Sequence, residues 1–338
     1  WSGNTSLGGD RNVFFPSEDR IIRRSSHAMI SDQSDIDTDC TTANDLFLSL
    51  EANKEFDTLI YAHCGGRYAD IKYAHDGRFE KSVEVHSSWG SFEWILNDAL
   101  EEGYRVGIVG NSDGHKGRPG ASYPGSSLFG AIGGLTCFLT PELTREAIMD
   151  CMRKRRHYAT SGGPNGRMYI DLKANFSSEG TIFHDDPKLF DNEGHTSKEA
   201  IMGDIVHLPN GEMSLNINIT AAAPIERLDI FNGLELIETY KPFSNKDLGN
   251  KIRVIWEGAE YRGRFRQVKW DGEANVFGNE IIGSSPINFF NPDKSLTQTP
   301  TSLKWEALTT GNFGGFDAWL KDPFSGELQI QTALVQTK

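Results

Sequence analysis

The stretch Val109-Gly110-Asn111-Ser112-Asp113-Gly114-His115-Lys116-Gly117-Arg118-Pro119-Gly120 carries the most information in the chain. The apolar run from Val106 to Val109 reads as a short buried strand, and Asn, Ser, Asp and Gly end it as turn formers. Asp113 and His115 then stand two residues apart just past the strand's C-terminal end, where reactive groups gather in α/β sheets. A carboxylate and an imidazole are metal-ligand types. Lys116 and Arg118 follow at once and can hold an anion.

The pattern recurs upstream. Thr58 to Ala62 is an apolar run ending in His63-Cys64-Gly65-Gly66-Arg67, and Ser82 to Val85 ends in His86. Between the latter and Val106, Phe92, Ile95, Leu96 and Leu100 fall at helical spacing, with Gly103 as a stop. Strand, polar tip, helix and strand form the βα rhythm of a parallel sheet. A lone buried His is more often structural than a ligand. Three at equivalent strand ends, one with an Asp two residues before it, favour metal binding.

Residues 1–162 resemble the later part of the PHP (polymerase and histidinol phosphatase) superfamily of metal-dependent phosphoesterases. The chain as a whole is similar to a bacterial family that joins such a domain to a β-rich C-terminal region. The carrying motifs are Trp1-Ser2-Gly3-Asn4, Arg24-Ser25-Ser26-His27, His63 to Asp70, Val83-Glu84-Val85-His86-Ser87, Asn111 to Gly120, Leu143 to Ile148, and Arg155 to Gly162. The resemblance implies an α/β fold, the C-terminal part of a distorted (β/α)7 barrel. It also implies a site of two or three divalent metal ions (Zn, Mn, Fe or Mg), with Asp113, His115, His63 and His27 as ligands. The superfamily's opening His-x-His, its further Asp-His and its Glu ligand have no match here, so the resemblance implies a start within the domain and an N-terminal segment as partner. About four strands, near residues 58, 82, 105 and 134, precede residue 162, where a closed barrel needs roughly seven or eight.

The length of 338 residues suggests two domains, read as 1–162 and 163–338. A formal net charge of -13 argues against generic nucleic-acid binding, and no apolar run is long enough to span a membrane. Cys40, Cys64, Cys137 and Cys151 lack zinc-finger spacing and do not suggest a disulfide scaffold; Cys64 reads as a small buried residue. Beyond Gly162-Gly163-Pro164-Asn165-Gly166, period-two segments such as Met168–Leu172, Leu215–Ile219, Lys251–Trp256 and Leu328–Gln331 predict a β-sandwich. Asn175 to Met202 reads as a solvated loop, with a second metal site at His184, Asp185, Asp186 and His195 as the lesser alternative. Trp256, Trp270, Trp305 and Trp319 read as core residues before they read as a glycan platform.

The expected function is that of a metal-dependent hydrolase, a phosphoesterase by resemblance, acting on a small anionic substrate. Arg67, Lys116 and Arg118 would clamp substrate oxygens, a task suited to the planar Arg fork. His86 would act as ligand or general acid. Glu84, on the same strand face as His86, reads equally as support for a ligand or as a paired buried charge, and His75 as structural. The alternatives are a non-catalytic glycan- or protein-binding scaffold and a metal hydrolase of amides or sulfate esters. The sequence leaves the compartment open.

Overall fold

The computed structural model describes residues 1–114, 133–163, 166–258, 262, 268–289 and 295–336, with side chains to 332. It falls into two compact units. The first comprises Trp1–His86, Phe92–Asn111 and Gly134–Ala222; the second holds the described residues of Ser87–Ser91, Ser112–Gly133 and Ala223–Lys338.

The first unit begins with β1 (Arg11–Phe14), α1 (Ala43–Ala52), β2 (Leu59–Ala62) and β3 (Glu80–Ser87). After the two-residue β4 (Gly90–Ser91) come α2 (Glu93–Glu101) and β5 (Gly107–Gly110). Strands β2, β3 and β5 run parallel, with Tyr61 against Ser82 and Val83 against Ile108. β1 lies antiparallel on the far side of β2, pairing Arg11 with Ala62 and Phe14 with Leu59. One face, through Ala62 and Val83, packs on Ile95 and Ala99 of α2. The other face carries Leu59, Tyr61 and Val109 onto Met152, Ile148 and Met149 of α3 (Arg145–Arg153). β6 (Gly134–Phe138) and β7 (His157–Ser161), which flank α3 in sequence, pair antiparallel. α1 starts at a reciprocal cap: Thr42 Oγ1 accepts from the Asp45 amide at 3.1 Å, and Asp45 Oδ2 accepts from the Thr42 amide at 2.9 Å.

The chain then turns fully to strands. β8 (Met168–Phe183) is 16 residues long and pairs antiparallel with β9 (His195–Ile201), β10 (Ile205–His207) and β11 (Met213–Ala221). Part of the expected loop 175–202 is therefore sheet. Its polar residues mark the wet side of a strand, and the connection that remains between β8 and β9 is 184–194.

In the second unit β12 (Leu228–Asn232) and β13 (Glu235–Tyr240) form a hairpin. β14 (Lys251–Glu257), β20 (Phe313–Leu320) and β16 (Ile281–Ile287) make one sheet. β15 (Val268–Phe277), β17 (Leu296–Gln298), β18 (Ser302–Trp305), β19 (Leu308–Thr309) and β21 (Glu327–Gln336) make another. Trp256 and Phe316 from the first of these sheets and Ala274, Val276, Leu303 and Trp305 from the second share one core. The Trp256 and Trp305 rings stack at 5.2 Å.

The α/β barrel expectation is corrected. Among the described residues there are 21 strands and only three α-helices, no barrel closes, and the fold is mostly β. Antiparallel β1 ends the parallel run on one side, and after β5 the pairing turns antiparallel at β6 and β7. Three genuine parallel strands, two of them ending at a His, read locally like a slice of a barrel. Local periodicity reports the type of a strand, not how many strands follow. No helix among the described residues is long and apolar enough to cross a membrane.

Candidate active-site edge of the parallel sheet

Parallel pairing brings the C-terminal ends of β2, β3 and β5 to one edge. That edge receives His63 just past β2, Glu84 and His86 near the end of β3, and Asn111 just past β5. Along β3, alternation puts Ser82 and Glu84 on one face, and the expected place of His86 on that same face is corrected by a register shift between Glu84 and His86, which pairs His86 with Gly110. The face of Ser82 and Glu84 is that of Tyr61 and Val109, their register partners in β2 and β5.

Glu84 is the hub. Its side chain is only 1% exposed. Oε1 lies 3.1 Å from His63 Nδ1 and accepts from Cys64 Sγ at 3.3 Å, while Oε2 accepts from Asn111 Nδ2 at 2.6 Å. A buried carboxylate without such donors would be costly. Asn111 is itself fixed by its backbone, donating to His86 O at 2.9 Å and accepting from Gly134 N at 2.8 Å. A proton on His63 Nδ1, the nitrogen nearest Glu84, would leave the lone pair on Nε2, the tautomer a metal ligand or proton acceptor needs.

Arg67 sits beside this hub. Its Nε is 3.4 Å from Asp10 Oδ2, and its guanidinium also donates to Ser2 Oγ. The backbone ties the same loops together: Asp10 N donates to Arg67 O at 2.9 Å, and His63 N donates to Asp10 O at 3.2 Å. Gly9 permits this approach. Its φ is +75°, and a Cβ there would lie 1.8 Å from Tyr68 O. The Arg67 side chain remains 45% exposed, so its pairing with Asp10 contributes little stability.

His27 lies in the loop that precedes α1. Its side chain is 2% exposed, with Nδ1 2.6 Å from Asp39 Oδ1 and Nε2 2.9 Å from Asp35 Oδ1. Hydrogen bonds to Asp39 and then Asp35 push its pKa up, so the imidazolium persists to higher pH. Arg24 Nη1 donates to Asp35 Oδ2 at 2.6 Å.

Asp113 adopts φ 45°, a left-handed conformation that Asp tolerates better than most residues, and its carbonyl accepts from Ser88 Oγ at 3.0 Å. It groups with the second unit. His115, Lys116 and Arg118 lie outside the described residues. Among the described residues no group of three or more His, Cys, Asp and Glu side chains is placed to hold a metal ion. The described part supplies one imidazole with a carboxylate beside it, not a full donor set.

Two other histidines are structural. His157 is buried, with Nε2 3.1 Å from Ser82 Oγ and Nδ1 3.1 Å from Ile108 O, and burial lowers its pKa to about 4. His75 Nδ1 bonds Glu80 Oε2 at 2.6 Å while its ring stacks on Tyr104.

The sequence reading gave no role to Asn111, Asp10, Asp35 or Asp39. For Asn111 a signal existed, since it directly follows β5 at the same edge as His63. Cys64 is buried as expected, and it also donates to Glu84. Comparison of the chain with family models, with curated proteins and with solved structures returns no match.

Proposed function

We propose that the sheet edge around His63 belongs to a metal-dependent hydrolase of small anionic esters, phosphate esters first among them. The observation that carries this reading is the buried Glu84 carboxylate on His63 Nδ1, itself held by Asn111. A carboxylate behind an imidazole fixes its tautomer and orientation and raises its basicity toward a cation. A divalent ion, when bound, supplies an acidified water and neutralises charge on the ester oxygens.

The chain's own residues do the remaining work. His63 would help hold the ion, with Glu84 and Asn111 keeping its ring from turning. Arg67, steadied by Asp10 and Ser2, has enough exposure to orient an anionic oxygen. His86, at the same sheet edge, would hold the proton destined for the leaving group. Asp113 and the outlying His115, Lys116 and Arg118 enter the proposal from sequence alone.

The test is elemental analysis of the purified protein together with a panel of phosphomonoesters and phosphodiesters. Bound divalent metal and metal-dependent turnover are expected. His63→Ala should abolish both, and Glu84→Gln should weaken metal affinity by about 10–100-fold. Metal content and turnover that ignore both substitutions would overturn the assignment.

A further inference from the structure

β11 is the edge of its sheet; among the described residues it pairs only with β8. Its nine residues, Met213-Ser214-Leu215-Asn216-Ile217-Asn218-Ile219-Thr220-Ala221, include no charge, no proline and no glycine. Edge strands of soluble proteins are usually protected by such residues, by bulges or by shortness. β11 has none of these protections and pairs with β8 in unbroken register from Met213–Phe176 to Ala221–Met168. Met213 is 57% exposed, Leu215 38% and Met168, on the same face, 38%.

We propose that β11 pairs antiparallel with β11 of a second copy of this chain, about a two-fold axis at Ile217. The argument is self-complementarity. Rotation about Ile217 sets Leu215 against Ile219, Asn216 against Asn218, Ser214 against Thr220 and Met213 against Ala221 of the second copy. Apolar positions thus meet apolar ones and uncharged polar positions meet uncharged polar ones, each pair occurring twice about the axis as in an isologous interface. The next strand agrees. Ile217 lies beside Leu172, Asn216 beside Lys173 and Asn218 beside Asp171. In the four-strand sheet, one row therefore reads Lys173, Asn216, then Asn218 and Asp171 of the second copy, with opposite charges at its ends. The row through the axis is Leu172, Ile217, Ile217, Leu172, wholly apolar. Its neighbours set Ala174 and Leu215 beside Ile219 and Ile170 of the second copy. Two half-wet apolar faces thus merge into one. With a net charge of -13 the copies repel in general, and an uncharged strand is where they can approach.

Sedimentation velocity over a concentration series tests this. The parent chain should show twice the monomer mass. Asn216→Lys with Asn218→Lys sets lysines directly opposite each other in two symmetric rows, and the dissociation constant should rise at least about 10-fold. Both positions are exposed, so the far-ultraviolet spectrum and unfolding midpoint should stay put. Ile217→Cys should form a disulfide-linked dimer under mild oxidation, while the parent under the same oxidant should not. A monomeric parent, an open-ended polymer, a dimer indifferent to the lysine pair, or failure of Ile217→Cys to cross-link would each overturn the proposal.

Discussion

Removing the charge of Glu80 should cost the first unit more than any surface change. Arg11 and Glu80 are both 0% exposed and meet at 3.0 Å, Nε to Oε1. The other carboxylate oxygen takes His75 Nδ1 at 2.6 Å. The guanidinium also donates to Ala74 O at 2.7 Å and to Gly9 O at 3.3 Å, and it lies over the Phe47 ring at 5.8 Å. Glu80→Gln keeps the shape and removes the charge, leaving a guanidinium buried without its carboxylate. Breaking such a pair from one side costs about 3–5 kcal/mol. For a unit of roughly 200 residues that lowers the midpoint by about 6–20 °C. Calorimetry and urea titration read it directly. Arg11→Met with Glu80→Gln should be less damaging than the two single losses added together, because the double variant strands no charge. A Glu80→Gln protein within about 1 kcal/mol of the parent would refute the reasoning, since a buried pair of this geometry cannot be broken so cheaply.

His157 makes stability depend on acid. Its folded pKa of about 4 lies below the ordinary 6.5, so the unfolded chain binds the extra proton. The contribution is whole above pH 6.5, fades as pH falls toward 4, and totals about 3 kcal/mol; His157→Gln should flatten that part of a urea-midpoint profile between pH 7 and 4. Lys81, 2% exposed, holds Asp185 at 3.0 Å and lies 4.8 Å from the centre of the Phe190 ring, and burial lowers its pKa. Asp185→Asn should destabilise by about 3 kcal/mol by leaving that ammonium without its counter-charge, measured by urea denaturation at pH 7. Thr42→Ala removes one arm of the α1 cap and should cost about 1 kcal/mol, read in the same assay.

What the sequence made legible was local. Strands β2, β3 and β5 could be read from the short runs Thr58–Ala62, Ser82–Val85 and Val106–Val109, each cut by a polar tip, and their parallel pairing does bring their C-terminal ends to one edge. Strand count and direction were not local. β1 joins β2 across a gap that holds α1 and the His27 loop, and nothing in Arg11-Asn12-Val13-Phe14 states that it runs antiparallel. The Arg11–Glu80 pair spans 69 residues, and a charged side chain in sequence gives no sign that it will be wholly buried. β8 misled in the opposite way. Its polar stretch Asn175 to Gly180 looks like loop, yet β11 pairs with it up to Phe176 and β9 and β10 resume the pairing from Gly180 and Thr181, so the flanking ladders hold as strand a segment whose composition does not advertise it.

The same division runs through the candidate site. His63 and His86 could be named because ligand-type residues at strand tips form a one-dimensional pattern. Their environment is made by residues from other loops: Asp10 from before β1, Asn111 from after β5, and Asp35 and Asp39 around His27. Glu84 shows the difference most clearly. Period-two spacing predicted a face shared with His86, which the register shift in β3 interrupts, and whether Glu84 neutralises a cation or steers an imidazole depends on which donors reach its two oxygens. Those donors are His63, Cys64 and Asn111, all uncharged groups when His63 is neutral. A carboxylate meant only to balance a buried cation would sit against Arg or Lys, as Glu80 does against Arg11. Glu84 instead gathers hydrogen-bond donors at a polar sheet edge, an arrangement that spends a buried charge on orienting one ring. Such an expense is reasonable only where the ring has a task beyond packing, which is why His63, rather than the doubly paired His27, anchors the proposed chemistry.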